Sequence, residues 1–166
     1  MKVVCLHNKS DIELFLRRNV YLHIYSIGDL DDFFWHKTQW YASVEDGEVQ
    51  AIVSLYTVPP FPILLALSEK QEPMKDLLKS ILYMLPGRFY AHLSPGLSMV
   101  FEKSFKIKSH GEHYKMGLEN KSLVHDVDCS HVIPLDKSNL EHIQNLSFME
   151  MERKVFLTLL LMFWEM

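Results

Sequence analysis

An α+β fold, a mixed and mainly antiparallel sheet flanked by helices on both faces, is what the residue pattern of this chain predicts. Three observations lead there. Gln39 to Val44 and Val49 to Thr57 are rich in aromatic and β-branched residues and flank Glu45-Asp46-Gly47-Glu48. Asp46-Gly47 supplies the positive φ angles of a tight hairpin turn, so the two runs read as an antiparallel pair. Ile63 to Leu67 is wholly apolar, as in a strand covered on both faces. After it, helical and strand-like periods alternate, which places helices against a sheet.

Ser10 with Glu13 has the spacing of a capping box, and Ile12, Phe15 and Leu16 fall on one helical face behind it. A short strand-like run precedes them after Lys2. Val20 to Ile24 reads as a second short element ended by Gly28. Val58-Pro59-Pro60-Phe61-Pro62 is an irregular link, because proline cannot donate to a ladder. Pro73 suits a first helical turn, and Met74, Leu77, Leu78, Ile81, Leu82 and Leu85 make a broad apolar stripe up to Pro86-Gly87. Phe89 to Leu93 reads as a strand. Leu97, Val100, Phe101 and Phe105 read as the stripe of another helix, and His113 to Leu118 as a returning strand.

Bulk properties limit the function classes. The chain has 166 residues, 48% of them hydrophobic and 23% charged, which suits one globular domain. A net charge of −4 and the absence of a dense Lys/Arg cluster argue against nucleic acid as the main partner. The densest basic stretch, Lys103 to Lys108, is interrupted by Phe105 and Ile107. Cys5 and Cys129 are far apart; two reduced thiols in a cytoplasmic protein are expected, with a disulfide as the alternative.

Near the end, Val132-Ile-Pro-Leu135 is strand-like, and Ser138 with Glu141 repeats the capping-box spacing ahead of Leu140, Ile143 and Leu146. Val155 to Trp164 is nearly all apolar and about half the length a membrane-spanning helix needs. A helix packed on the domain or on a partner is expected there, rather than a membrane span. The alternative is the remnant of a second domain.

The hairpin Gln39 to Thr57, together with Val100-Phe-Glu-Lys-Ser-Phe105, resembles the GNAT (N-acetyltransferase) superfamily. The hairpin looks like the family's second and third strands. The later stretch is similar to its Leu-Tyr-Glu-Lys-x-Gly-Phe segment. The resemblance spans about two-thirds of the chain. It implies a GNAT-like domain over 1–131, with 132–166 the start of a second such unit or a hydrophobic C-terminal helix. It also implies acetyl-CoA as donor, held at Leu67, Ser68, Lys70, Gln71 and Met74.

Two departures set this chain apart from that pattern. The family cradles the CoA pyrophosphate on a glycine-containing loop at a helix start, where bare N–H groups and the helix dipole meet the anion. Here Ser68-Glu-Lys-Gln-Glu-Pro73 has no glycine, carries two carboxylates and loses an N–H at Pro73. Phe101 stands where the family's tyrosine acid would be, and a phenyl ring has no proton to give. Tyr90 or Tyr114 would have to substitute, although each reads more simply as a strand residue with a buried ring. His92 is the candidate base, ahead of the hairpin carboxylates Glu45, Asp46 and Glu48, whose turn positions explain them on backbone grounds. The expectation is a degenerate, non-catalytic half that dimerises or packs on a catalytic GNAT domain through its apolar C-terminal segment. The alternative is an active N-acetyltransferase acting on a small amine.

Two further groupings carry chemistry. His110, His113, His125, Cys129 and His131 are zinc-ligand types, but without the paired spacing of known sites. No metal is expected. Phe33, Phe34, Trp35, Trp40 and Tyr41 read as core before they read as a ligand groove.

Overall fold

The computed structural model describes residues 1–58, 61–115, 117, 120, 122, 128, 130–132 and 136–140. The chain divides into two compact units, Met1–Gly117 and Leu118–Met166. The first unit holds β1 (Lys2–Cys5), α1 (Lys9–Leu16), α2 (Val20–Gly28), α3 (Asp32–Trp35), β2 (Thr38–Glu45), β3 (Glu48–Tyr56), β4 (Ile63–Ala66), α4 (Gln71–Ile81) and β5 (Tyr90–Leu93). They build a five-stranded sheet in the order β1-β2-β3-β4-β5. The first four strands are antiparallel, and β4 pairs with β5 in parallel. The α+β fold with a mainly antiparallel mixed sheet is therefore observed.

The hairpin forms as its residues dictate. Asp46 and Gly47 sit at φ values of 51° and 82°, the left-handed conformations a two-residue turn needs. The β2–β3 register then runs from Glu45↔Glu48 to Thr38↔Tyr56, with one irregularity between Ser43 and Val44. Strand alternation sends Tyr41, Val53, Leu55, Leu64 and Ala66 to one face, where Met74, Leu77, Leu78 and Ile81 of α4 cover them. Trp40, Ala42 and Ile52 point to the other face and meet Ile12 and Leu16 of α1. Helices thus lie on both faces.

Several local expectations change. The first helix is capped by Asn8, whose side chain accepts from the Ser10 N–H, rather than by Ser10. Asn and Ser cap about equally well, and the helix takes the earlier start. The Leu97–Phe105 stripe is buried as expected at Leu97 and Phe101, but only Ser98–Val100 is helical, as a 3₁₀ turn, followed by tight turns. Gly96 at φ 79° and the serines at 98 and 104 weaken a regular helix there. His113, Tyr114 and Lys115 form no strand; Met116 and Leu118 lie outside the described residues.

In the second unit a 3₁₀ turn spans Lys137–Asn139. Asp136 accepts from the Ser138 N–H at 2.7 Å, and the Asn139 side chain accepts from the Asp136 N–H at 3.0 Å. The capping box therefore begins at Asp136 instead of Ser138, a carboxylate competing well with a hydroxyl for an N–H. Glu141 and the apolar run from Val155 to Trp164 lie outside the described residues. Among the described residues no helix is long and apolar enough to cross a membrane.

Leu78, 0% exposed on the sheet-facing side of α4, should be among the costliest truncations. Leu78→Ala is expected to lose about 2–5 kcal/mol in urea unfolding. Tyr83→Ala, at an 83% exposed residue, should stay within about 0.5 kcal/mol.

Candidate functional site

Chemistry concentrates on the α2 face, around β4 and β5. The register places Ser54 beside Leu65 and Leu65 beside His92, with Tyr56, Ile63 and Tyr90 as the next row on the same face. Tyr90 and His92 are thus brought to one face of β5. The α2 helix lies over them: Tyr25 packs on the His92 ring at 6.0 Å between centroids. Tyr90 is 43% exposed, not buried, with its ring edge-on to Phe61 at 5.6 Å and near His110 at 6.4 Å. Tyr114 is 95% exposed, so the buried strand ring expected there is also overturned. In both cases the neighbouring segment is irregular loop rather than a covering strand.

The segment after residue 110 returns across α2. Lys115 Nζ donates to the Leu22 carbonyl at 2.8 Å and sits 4.5 Å over the Tyr25 ring. Gly117 lies so close to Tyr21 that a Cβ there would come within 2.2 Å of its ring. Burial lowers the pKa of the Lys115 ammonium. The ammonium in turn reinforces the effect of burial on two imidazoles. His92 is pulled below its ordinary value by its packed surroundings, although part of the ring meets solvent, then by Lys115 and His113. His23, buried within α2, is lowered by burial and Lys115, against an opposing pull from Glu69.

A cavity of about 350 Å³ opens at the carboxyl ends of β4 and β5. Leu22, Leu67, Leu93 and Pro95 give it apolar walls, and Asn19, Ser94, His113 and Lys115 give it polar ones. A second hollow of about 520 Å³ lies at the other edge of the sheet, between Val3 and Cys5 of β1 and Ile81 and Tyr83 beyond α4. Cys5 there is a free, exposed thiol; Cys129 lies outside the described residues. The hydroxyl of Tyr41, which also lines it, is already bound to Gln39 at 2.7 Å.

The loop from β4 to α4, where the donor residues were expected, is filled by its own side chains. Ser68 Oγ accepts from the Lys70 N–H at 3.1 Å and donates to the Lys70 carbonyl at 2.9 Å. Ser68 N–H donates to Ser94 Oγ at 2.9 Å, and the Gln71 side-chain amide donates to the Pro95 carbonyl at 3.0 Å. Asn19 holds Glu69 at 2.9 Å. Leu67 lines the cavity, whereas Met74 is fully buried in the core, which leaves its side chain no surface for a ligand. Phe101 is buried against Phe89 and Phe105.

Sequence reasoning missed Asp29. At the end of α2 it lies 3.5 Å from Ser54 Oγ, and burial pushes its carboxyl from 3.8 up to about 7, against a small lowering by the Ser54 hydroxyl. The Tyr56 hydroxyl is raised by burial and then by Asp29. The signal available was Ser54, a polar residue inside the apolar run Ala51 to Tyr56. Asp29 can take up a proton near neutrality, as general bases do. Its partner Ser54 stands two inter-strand spacings, roughly 10 Å, from His92 across the sheet.

The other expected groups lie elsewhere. Glu45 and Glu48 close the hairpin, and Glu45 lies 3.9 Å from the chain amino group. Among the described residues no three His, Cys, Asp or Glu side chains come together to hold a metal; His125 and Cys129 are outside them. Trp40 and Tyr41 are buried as core, while Phe33 is exposed.

No protein-family model matches the chain, and no curated protein matches it. Among solved structures it is similar to a probable acetyltransferase, at 16% identity and a TM-score of 0.47, over 73% of this chain and 100% of that one. It is also similar to a ribosomal-protein-alanine N-acetyltransferase from Brucella melitensis biovar Abortus 2308, at 12% identity and a TM-score of 0.46, over 71% of this chain and 100% of that one.

The raised carboxyl of Asp29 makes stability depend on pH with a definite sign. The folded state binds the extra proton between pH 3.8 and about 7, so stability falls as pH rises through that window. Asp29→Asn should remove this slope. Thermal melts are expected to show the variant gaining on the parent from pH 4.5 to pH 8; parallel curves would refute the assignment.

Proposed function

We propose that this chain is a GNAT-like domain without acyl transfer of its own, acting as the structural or regulatory half beside a catalytic GNAT domain. The observation that carries this reading is the closed seam between β4 and β5. The GNAT resemblance puts the donor at Leu67, Ser68, Lys70, Gln71 and Met74, just beyond the paired strands β4 and β5. Here they stay paired from Ile63↔Tyr90 to Ala66↔Leu93, and the Ser94 N–H continues the ladder to the Ala66 carbonyl at 3.1 Å. The Ser68 N–H bond to Ser94 Oγ fastens the loops just beyond.

An extended thioester arm using the β4 backbone would have to displace these bonds. Each buried group left unsatisfied costs about 1–3 kcal/mol. The missing glycines, Glu69, Glu72 and Phe101 support the same reading. In this proposal the apolar run from Val155 to Trp164 supplies contact to the partner domain or to a second copy, as apolar segments do at interfaces.

The second reading, an active N-acetyltransferase using acetyl-CoA, is favoured by Asp29 and His92, which offer proton acceptors on one face. A thermal-shift titration with acetyl-CoA and CoA separates the two. No shift up to millimolar ligand is expected. A donor at 100-fold its dissociation constant would add about 2.7 kcal/mol, and a rise of that order would overturn the non-catalytic reading.

A further inference from the structure

We propose that the cavity at the carboxyl ends of β4 and β5 binds a small organic acid, a carboxylate carried on an apolar body. Its volume of about 350 Å³ falls at the lower end of small-molecule sites. Its walls divide by chemistry: Leu22, Leu67, Leu93 and Pro95 suit an apolar body, while Lys115 and Ser94 suit an anionic head.

Lys115 is the decisive group. Its ammonium is held by the Leu22 carbonyl and lies over the Tyr25 ring, neither of which carries a neutralising charge. Among the described residues, no carboxylate comes within ion-pair distance of it. Glu69, whose charge His23 feels, is held instead by Asn19. A cation fixed at a cavity wall without a counter-charge favours an anionic occupant, and it does so more strongly where water is partly excluded.

Ser94 adds a second donor. Its oxygen accepts from the Ser68 N–H at 2.9 Å, which leaves the hydroxyl proton free to donate into the cavity that Ser94 lines. One ammonium and one hydroxyl match the two oxygens of a carboxylate. Asn19 and His113 complete the polar wall, so inorganic phosphate is the competing anion that the test includes. The four apolar walls add burial for a short acyl or aromatic group. This inference is independent of whether acetyl-CoA binds, because its probes carry no CoA.

Titration calorimetry on the full chain with benzoate, benzamide, benzylamine and inorganic phosphate tests it. Benzoate should bind about tenfold or more tightly than the other three, the ratio expected of one charge-assisted hydrogen bond. Equal affinity for benzoate and its neutral amide would overturn the proposal, and that comparison needs no variant. Tighter phosphate binding would overturn the carboxylate assignment in favour of a phosphate ligand. Lys115→Met should lose about tenfold in benzoate affinity, Lys115→Arg should retain it, and Lys103→Met should leave it unchanged. Undiminished benzoate binding by Lys115→Met would also count against the site.

Discussion

The parallel pairing of β4 with β5 is the constraint on which the rest of the first unit depends. A parallel neighbour cannot be reached by a tight turn, so the chain must cross over through α4, and that crossover lays the α4 stripe on one face of the sheet. The same pairing sets β5 at the sheet edge with Tyr90 and His92 on the opposite face. It also decides what lies at the carboxyl ends of the strands. Ser94 donates its N–H to Ala66 and accepts from the Ser68 N–H, so one residue ties both outgoing loops together. A backbone group already bonded is not available to a ligand without an exchange.

The two faces of the sheet carry different work. Under α4 the contact is continuous hydrocarbon and aromatic packing, from Leu64 and Leu77 to the Phe89, Phe101 and Phe105 rings. Phe101 contributes its ring to that packing, against Phe89 and Phe105. Under α2 the packing admits His23, Ser54 and Asp29, with His92 exposed beside Tyr25. Such groups are tolerated only when their charges are suppressed or paired. Asp29 does this by holding its proton toward neutrality, and the buried His23 by a lowered pKa.

The elements that local chemistry controls were legible in the sequence. Asp46-Gly47 marked the hairpin, the Met74 to Leu85 stripe marked α4, and the unbroken apolar run at Ile63 marked β4. Less legible were features set by contacts far along the chain. The Leu97–Phe105 stripe identified the buried face but not the 3₁₀ geometry, because Gly96 sits against the Gln71 side chain, which is itself bonded to Pro95. The site divided in the same way. Tyr90 and His92 were readable as strand residues with chemistry, whereas Asp29 resembled any acid after a helix. Only the Ser54 hydroxyl, across 25 residues of sequence, reveals its burial. Lys115 was hidden for a related reason: its contacts to Leu22 and Tyr25 span a separation that no local period encodes.

Lys115 links the seam to the polar face. It bonds α2, whose Tyr25 packs on His92, and its charge lowers the pKa of both His92 and His23. Neutral imidazoles are acceptors or single donors, so they do not compete with the ammonium as cations. Lys115 thus brings a positive charge to the cavity wall, beside His113, whose charge also lowers His92, and Ser94, whose oxygen takes the Ser68 N–H. Neutralising that charge would relieve its repulsion with the imidazoles and let them protonate at higher pH. An anion at Lys115 and protons on His92 and His23 are therefore thermodynamically coupled, each favouring the other by the same factor.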